Sequence, residues 1–392
     1  MSNLAAIRSV AFVTRCYPSA VTPGEFVFVQ QFVRAMARQG VACTVVQPVP
    51  VHQAVGRLRL PYKTVEESAD AATVVILRPT YVSFSARRIF ARLGPLNPGL
   101  WTFRNFSAAA RRAIEAAACR PDAIYGHFLY LGGAAAVRVG TALSIPSFPC
   151  AGESDFWTVD AFGIRRATAD LAAAAGVLSN STPLKKMMVA QLGLPADHIG
   201  VFPNGTDLRR FCPCDRRAAR ARFGLPENLF LVAFVGSFCE RKGAPRVAAA
   251  LDGLQGVAGI FAGAGEEAPA GANVLFSRPV AHDDMPWFLS AADAFVLPTL
   301  AEGSCNALVE AMACGLPVIS SRGEFNDDLL DDRSALRVDP LDIAEIRSAI
   351  IRLRDDPLLR QRMAAAALVR APQFDINERA RRVLEFMASR LG

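Results

Sequence analysis

The sequence predicts an α/β protein built from two doubly wound domains, and three observations lead to this prediction. At 392 residues the chain exceeds what one ordinary hydrophobic core holds. Apolar residues make up 52% and charged residues 20%, which is typical of a folded globular protein. Short apolar strands alternate with amphipathic helices in two successive series, and such alternation produces parallel sheets covered by helices.

The first series begins with a buried strand over residues 9–14. A Pro/Gly loop follows it and leads at Gly24 into an amphipathic helix. This arrangement is a possible phosphate cradle, but a single glycine is weak evidence because an ordinary βα turn also contains one. Two polar side chains, His127 and Asp155, follow later strands of this series. Further strands are predicted over 41–47, 73–78, 123–125, 145–150, 176–179 and 199–202, and helices over 85–93, 103–119 and 182–193.

A charged, proline-containing segment over residues 208–228 separates the two series and is predicted to be an interdomain linker. The domains are accordingly assigned to residues 1–207 and 208–375. In the second series strands are predicted over 231–235, 259–262, 273–276, 294–297, 317–320 and 335–338, followed by helices over 341–354, 356–370 and 377–391.

Two carboxylates, Glu302 and Glu310, lie in a strand–loop–helix–strand unit of the second series. Ligands bind at the carboxyl edge of an open α/β sheet, so both carboxylates are expected to face one crevice. After another strand, Arg241, Lys242 and Gly243 open a helix. Two cations beside a glycine suit a diphosphate, whereas the same pair standing alone would be a solvated surface pair.

The nine cysteines form no CxxC pair and accompany no histidine cluster, so a disulfide framework or zinc site is not expected. They are interpreted as small buried side chains, and Cys212-Pro-Cys214 as accidental. No apolar run is long enough to span a membrane and the first fifteen residues do not resemble a signal peptide, which predicts a cytoplasmic protein.

The net charge of +7 comes from arginines that are not interleaved with aromatic residues, so no nucleic-acid partner is expected. The densest basic stretch lies within residues 84–118. It is either a solvated helical face or a surface that docks peripherally on an anionic membrane, on the inner face of the plasma membrane. Its arginines are Arg87, Arg88, Arg92, Arg104, Arg111 and Arg112.

Three motifs together resemble glycosyltransferase family 4, the retaining transferases of the GT-B fold. They are Val-Gly-x4-Arg-Lys-Gly at 235–243, Phe-Pro-Asn-Gly-Thr-Asp at 202–207 and Glu-x7-Glu at 302–310. The resemblance extends over nearly the whole chain and includes the segment around Gly24 and Tyr-Gly-His at 125–127.

The resemblance implies two Rossmann-like domains facing across a cleft, with the C-terminal helix 376–392 crossing back to the first domain. The first domain would bind the acceptor, a glycan or polyprenyl-linked sugar, and the second a UDP-, GDP- or ADP-linked sugar. The implied activity is a hexosyltransferase that retains anomeric configuration in bacterial exopolysaccharide, lipopolysaccharide or glycolipid synthesis. Neither metal nor cofactor is implied, because cations and a helix N-terminus would stabilise the leaving diphosphate.

The resemblance also implies roles for individual residues. Arg241 and Lys242 would bind the diphosphate, Glu302 the hydroxyls of the donor sugar, and Glu310 the ribose. His127 would contact the transferred sugar, and Asp155 would act on the acceptor side. The remaining implied donor-binding residues are Gly24, Gly236, Arg278, Val280, Gly303, Ser304, Cys305 and Asn306.

Two segments depart from the family pattern. Gly152-Glu153-Ser154-Asp155 stands where many members have His-Gly-x-Asp, so no catalytic histidine is expected there. Residues 322–327 replace a familiar Gly-Gly-x-Pro-Glu loop. The alternatives are a sugar-nucleotide epimerase or a glycogen-synthase-like polymerase on the same fold, a non-catalytic scaffold, and a nucleic-acid-binding protein.

Overall fold

The computed structural model describes residues 7–20, 22, 24–54, 60–67, 73–84, 96–154 and 156–391. The chain divides into two compact units, of which the first comprises Met1–Pro203 and Ile376–Gly392 and the second Asn204–Asp375. The first unit therefore ends at Pro203, ahead of the boundary predicted at residue 207. Each unit is a doubly wound α/β structure, which confirms the predicted fold class.

The main sheet of the first unit has the strand order β10-β9-β8-β7-β1-β2-β5-β4. Its pairs are parallel except for β4 with β5, which is antiparallel. The strands of the unit, including the separate pair of β3 and β6, are β1 (Ser9–Val13), β2 (Ala42–Val46), β3 (Val49–Pro50), β4 (Lys63–Glu67), β5 (Thr73–Leu77), β6 (Thr80–Tyr81), β7 (Ala123–His127), β8 (Ser147–Ala151), β9 (Val177–Ser179) and β10 (Ile199–Val201).

Two helices of this unit start at residues other than those predicted. The helix after Gly24 begins only at Val27, because Phe26 adopts a left-handed conformation. The helix predicted from 103 begins at Pro98, where the Asn97 side chain accepts a hydrogen bond from Gly99. The predicted helix over 85–93 lies outside the described residues. The α-helices are α1 (Val27–Arg38), α2 (Val51–Ala54), α3 (Pro98–Glu115), α4 (Ala134–Leu143), α5 (Trp157–Phe162), α6 (Ile164–Leu171) and α7 (Thr182–Leu192).

The C-terminal helix packs on α1 and thereby confirms the predicted return of the chain to the first domain. Its apolar face joins the core around β1. Arg379 is buried on the same face, where its guanidinium lies 4.2 Å from the centre of the Phe32 ring. It also donates to the carbonyl of Phe202 at 3.3 Å and to Asn180 Oδ1 at 3.2 Å. These hydrogen bonds satisfy a charge that would otherwise be costly to bury.

Substitution Val383→Ala in this helix is expected to lower the free energy of unfolding by about 2 kcal/mol. Val383 is fully buried at 0% exposure, so the shortened side chain leaves a cavity. Val369 provides a matched control, because it is 78% exposed and the same substitution there removes almost no packing. Urea unfolding of both variants measures the effect. Equal losses would show that the C-terminal helix does not belong to the first unit's core.

The second unit contains a parallel sheet with the order β13-β12-β11-β14-β15-β16. The order reverses between β11 and β14, which is the place where doubly wound sheets open a crevice. The strands are β11 (Phe230–Val235), β12 (Val257–Ala262), β13 (Val274–Arg278), β14 (Ala294–Leu297), β15 (Val318–Ser321) and β16 (Ala335–Val338). The helices are α8 (Arg216–Phe223), α9 (Ala244–Leu251), α10 (Met285–Ser290), α11 (Asn306–Ala313), α12 (Ile343–Asp355), α13 (Pro357–Arg370) and, in the first unit, α14 (Ile376–Ala388).

The prediction of a linker over residues 208–228 is wrong. The segment contains α8, which packs on α10 inside the second unit. Arg220 of α8 is buried and pairs at 2.7 Å with Asp293, whose carboxylate also accepts from the backbone N–H of Leu231 at 2.8 Å. The charged residues of this segment led to the prediction of an exposed linker. Asp293, the buried partner of Arg220, lies 73 positions away in the sequence and cannot be recognised from the segment itself.

Candidate functional site

Two loops at the strand-order reversal of the second unit form the centre of the site. One follows β11 and contains Gly236 to Gly243, and the other follows β14 and contains Pro298 to Cys305. The backbone N–H of Leu300 donates to the carbonyl of Arg241 at 2.8 Å, which ties the loops together. The structure thus brings the Arg-Lys pair and Glu302, predicted separately, to one sheet edge.

The carboxylate of Glu302 is the hub of this cluster. Its Oε1 atom accepts from Lys242 Nζ at 2.5 Å, Arg241 at 3.0 Å and Thr299 Oγ1 at 2.8 Å. Arg241 also donates to the carbonyl of Ala301 at 2.6 Å. Three donors occupy Oε1, whereas no hydrogen bond among the described residues reaches Oε2. The cluster therefore offers one free acceptor atom beside an excess of one positive charge.

The ion pair holds Lys242 in its charged form. Burial acts to lower the pKa of Lys242, but the neighbouring Cys305 and Glu302 groups raise it by more, so the pKa lies above its ordinary value. Burial raises the pKa of the Cys305 thiol to about 11, so Cys305 acts on Lys242 only at high pH and Glu302 is its charged partner at neutral pH. The positive charge beside Glu302 is thus kept in a site where only 13% of the lysine side chain is exposed.

Close packing of two glycine loops fixes the shape of the segment that carries Arg241 and Lys242. A Cβ atom on Gly263 would lie 1.9 Å from the carbonyl oxygen of Gly236, and one on Gly265 would lie 2.2 Å from that of Phe238. The N–H of Phe238 donates to the carbonyl of Ala264 at 2.8 Å. The sequence prediction of the site did not include Gly263 and Gly265, and their position directly after a neighbouring strand was the available signal for this structural role.

The loop before α11 is fastened by the Asn-Gly-Thr-Asp segment. The backbone N–H of Asn204 donates to Ser304 Oγ at 2.9 Å, and its side-chain amide donates to the carbonyl of Ser304 at 3.0 Å. Cys305 caps α11 and is buried. Gly303 is also buried, while Oδ1 of Asn306 is buried with no hydrogen-bond partner among the described residues. The predicted residues 303–306 therefore lie together at the start of α11.

A second support, absent from the sequence prediction, reaches Glu302 from the loop at 322–327. Asn326 is buried and donates to the carbonyl of Ser321 at 3.0 Å. Ser321 in turn donates to the carbonyl of Thr299 at 2.6 Å. Since Thr299 binds Glu302, this departure from the family pattern contributes a chain of hydrogen bonds behind the carboxylate.

Glu310 is buried within α11 and no hydrogen bond or ion pair among the described residues reaches its carboxylate. Burial raises its pKa to about 8, against the opposing effect of the Arg210 charge. Arg210 is itself paired with Asp283. A buried carboxyl without a protein partner is suited to a ligand hydroxyl, which can donate to it or accept from it.

Glu310→Gln is expected to raise the free energy of unfolding by roughly 3 kcal/mol at pH 7. The folded wild type keeps a proton up to about pH 8, whereas the unfolded chain releases it near the ordinary value of 4.5. The unfolding free energy of the wild type therefore falls as pH rises between these values, and glutamine removes that fall. Urea unfolding from about pH 4 to pH 8 measures the gap, which should close at the acidic end.

The matched control for this experiment is Glu227→Gln, which removes an exposed carboxylate with 65% of its side chain accessible. It should change the unfolding free energy little at any pH. Parallel pH profiles for the wild type and Glu310→Gln would contradict the raised pKa of Glu310.

Arg278 is the last residue of β13, and Val280 follows the strand at the same sheet edge. The carbonyl of Arg278 accepts from the N–H of Gly263 at 3.2 Å, so this loop adjoins the glycine loop after β12. The guanidinium lies 4.7 Å from the centre of the Phe276 ring. Val280 is partly buried against the core of the unit. The contact of this segment with the base stays a prediction.

His127 is the end residue of β7 in the first unit, and its ring is buried. Burial, together with the charge of Arg379, lowers its pKa to about 3, so the ring is neutral at neutral pH. Nδ1 lies 3.1 Å from the Tyr125 hydroxyl, and Nε2 is buried with no partner among the described residues. His127 can therefore offer a neutral hydrogen-bonding nitrogen, but not a cation.

Gly24 and Asp155 are the other two residues of the first unit that were predicted to belong to the site. Gly24 lies in an exposed turn before α1, and a Cβ atom there would meet nothing within 4 Å. The turn itself therefore does not require glycine. Asp155 lies outside the described residues. Glu153 accepts hydrogen bonds from the backbone N–H groups of Leu129 at 2.5 Å and Gly152 at 2.8 Å. It therefore holds in place the segment that replaces the His-Gly-x-Asp of many family members.

The cysteines and the acidic side chains suggest no additional centre. All nine cysteines are free, and five of them, Cys16, Cys43, Cys150, Cys305 and Cys314, are buried as predicted. The prediction is wrong for Cys119 and Cys212, which are exposed. Across the described ranges, no group of three or more His, Cys, Asp or Glu side chains is arranged to hold a metal ion.

None of the helices within these ranges is long and apolar enough to cross a membrane.

Solved structures of low sequence identity share the fold. Sucrose-phosphate synthase from Thermosynechococcus elongatus superposes with a TM-score of 0.73 at 19% identity, covering 96% of each chain. The Anabaena protein HepE, solved in complex with UDP and glucose, gives a TM-score of 0.71 at 17% identity, covering 98% of this chain and 100% of its own. These similarities confirm the GT-B architecture of two Rossmann-like domains.

Two family models match consecutive parts of the chain. Residues 24–210 match Glycosyltransferase Family 4, and residues 215–370 match Glycosyl transferases group 1. A putative teichuronic acid biosynthesis glycosyltransferase, TuaC, of Bacillus subtilis is 27% identical over 373 residues, which is 91% of each chain. A D-inositol 3-phosphate glycosyltransferase of Arthrobacter is 31% identical over 229 residues, covering 53% of this chain and 54% of its own. The chain therefore belongs to glycosyltransferase family 4.

Proposed function

We propose that this glycosyltransferase moves a hexosyl group from a nucleotide sugar to a glycan or lipid-linked acceptor, with retention of anomeric configuration, in the synthesis of a bacterial polysaccharide or glycolipid. The observation that carries the proposal is the Glu302 cluster. Two cations and one carboxylate with a free oxygen stand at the strand-order reversal of the second unit, and these groups fit a diphosphate joined to a sugar.

The charge of the cluster supports assigning it to the leaving group. Arg241 and Lys242 are held in place by Glu302 and still leave one positive charge in excess. A nucleoside diphosphate gains negative charge as its bond to the sugar breaks, and preorganised cations stabilise that charge. The start of α11 adds backbone N–H groups at the same edge.

Hydrogen-bonding groups account for the rest of the donor. Oε2 of Glu302 would accept from sugar hydroxyls, and the buried carboxyl of Glu310 would bind the ribose. Main chain from Arg278 to Val280 would frame the base. The relative HepE was solved with UDP, which supports a UDP-linked donor without distinguishing it from GDP- or ADP-linked sugars for this chain.

The first unit would supply the acceptor side. Gly24 would approach the diphosphate, His127 would hydrogen-bond the transferred sugar through its neutral ring, and Asp155 would contact the acceptor. Departure of the diphosphate and attack by the acceptor hydroxyl would occur on one face of the sugar, and the leaving phosphate would take the proton. The relative named for teichuronic acid biosynthesis supports a polysaccharide acceptor.

A thermal-shift screen of UDP-, GDP- and ADP-sugars, followed by a transfer assay with the selected donor, tests the proposal. We expect one nucleotide to raise the melting temperature of the wild type and not that of Arg241→Met/Lys242→Met. Nuclear magnetic resonance of the product reports anomeric configuration. A wild type that binds no nucleotide sugar would refute a transferase, and an inverted product would refute retention.

A further inference from the structure

We propose that one helical face of the first unit docks on the surface of a bilayer containing anionic phospholipids. The face consists of an arginine-lined groove and an adjoining apolar edge. The inference does not rest on the proposed function, because neither feature includes a residue of the Glu302 cluster and its test uses no sugar donor.

The groove lies between α3, α4 and the end of α6 and has a volume of about 600 Å³. Four of the residues that line it are exposed arginines, and one is an acid, Asp170. The carboxylate of Asp170 already accepts from the Tyr130 hydroxyl at 2.8 Å and pairs with Arg166 at 2.8 Å. The arginines are Arg104, Arg111, Arg112 and Arg138.

Three of these guanidinium groups have no partner within the part of the chain that the structure describes. Arg111 pairs with Glu115 at 3.2 Å, but no hydrogen bond or ion pair among the described residues reaches the side chain of Arg104, Arg112 or Arg138. Most other arginines described in this chain are bonded to a carboxylate or a carbonyl. Unpaired guanidinium groups around one groove match the phosphates of lipid headgroups, which they bind with two parallel hydrogen bonds.

The apolar edge adjoins the groove at the start of α3. It comprises Val82, Phe84, Leu96 and Trp101, which are 54%, 44%, 71% and 46% exposed. The Phe84 and Trp101 rings meet edge to face, with their centres 5.7 Å apart. Thr102 and Asn105 of α3 fasten the other segment, because Thr102 Oγ1 accepts from the N–H of Phe84 at 2.8 Å and Asn105 donates to the carbonyl of Val82 at 2.9 Å.

One stripe of α3 joins the two features. Trp101, Arg104, Ala108 and Arg111 are spaced by three or four residues, so they lie on the same side of the helix. A tryptophan beside a row of cations is the arrangement by which proteins rest in the headgroup layer, with the ring in the interface and the cations on phosphates. An exposed apolar edge alone would not select an anionic partner, whereas the arginines do.

The groove extends away from the edge of the sheet at which His127 lies. α4 starts after the carboxyl end of β7 and leads toward the amino end of β8, so Arg138 and Thr141 lie in the part of α4 remote from His127. A bilayer bound there would leave the carboxyl edge of β7 uncovered.

The full chain is tested by co-sedimentation with vesicles of phosphatidylcholine, with and without phosphatidylglycerol. We expect binding only to the vesicles with phosphatidylglycerol, weakening as salt increases. The variant Arg104→Gln/Arg112→Gln/Arg138→Gln should partition roughly 100-fold less. The matched control Arg8→Gln/Arg352→Gln/Arg362→Gln loses the same charge from other exposed positions and should bind nearly as the wild type does.

Tryptophan fluorescence tests the apolar edge separately. Emission of the wild type should move to shorter wavelength on anionic vesicles, and Trp101→Phe should lose most of that shift. Equal partitioning of the two triple variants, or a wild type that ignores anionic vesicles, would overturn the proposal. Binding of inorganic phosphate or DNA that the groove variant loses, without vesicle binding, would also overturn it and assign the groove to a soluble anion.

Discussion

Glu302→Gln lowers the rate of sugar transfer by roughly 10²- to 10³-fold, while the nucleoside diphosphate still binds. Glutamine keeps the length of the side chain but removes the charge that balances Lys242 and Arg241. The excess positive charge of the cluster rises by one unit, which favours the diphosphate. The amide is a weaker acceptor than a carboxylate for sugar hydroxyls, so transfer suffers rather than binding. Steady-state kinetics and calorimetric titration of the diphosphate measure the two effects.

A complementary variant separates the roles within the cluster. Lys242→Met keeps Glu302 but removes a cation, so it should weaken diphosphate binding by roughly ten-fold or more. Glu227→Gln, at an exposed surface pair, should change neither quantity. If Glu302→Gln lost diphosphate binding as severely as transfer, the carboxylate would serve only to hold the two loops together.

Gly263→Ala should destabilise the second unit by about 3 kcal/mol or more. The added methyl carbon would sit 1.9 Å from the carbonyl oxygen of Gly236, and a backbone atom cannot rotate away as a side chain can. Relief requires the loop that carries Arg241 and Lys242 to shift, so diphosphate binding should fall as well. Urea unfolding and titration of the diphosphate measure these changes.

Gly24→Ala is the matched control, because a Cβ at Gly24 would meet nothing within 4 Å. Its unfolding free energy should equal that of the wild type. A loss of transfer activity without a loss of stability would support the proposed approach of Gly24 to the diphosphate. Wild-type stability for Gly263→Ala would show that the two loops separate more easily than their contact suggests.

Regular elements with an apolar pattern were predicted well from the sequence. The predicted strands over 294–297 and 335–338 coincide with β14 and β16. Their residues are mostly buried, so local composition reflects local structure. β4, in contrast, was not predicted, because Lys63–Glu67 forms an exposed edge strand whose polar side chains carry no such pattern.

The parts of the site that depend on distant partners could not be predicted in the same way. The positions of Arg241, Lys242 and Glu302 were expected from motifs, but their joint binding at one carboxylate oxygen links residues about sixty positions apart. The supporting contacts of Thr299 and Asn326 and the overlap of Gly263 with Gly236 likewise arise only when neighbouring strands align their loops. The predicted roles of Gly24, His127 and Asp155 stay predictions.

The return of α14 to the first unit sets the order in which the chain can mature during synthesis. The second unit is one continuous segment, Asn204–Asp375, so all of it is synthesised before the last helix. Its two ends lie close together, since Thr206, near its start, bridges to its last residue, Asp375. The first unit, although translated first, lacks the buried side chains of Ile376–Ala388 until the whole second unit has been synthesised. Part of the core of the nascent N-terminal sheet therefore stays uncovered until α14 is synthesised, whereas the second unit can fold without that helix.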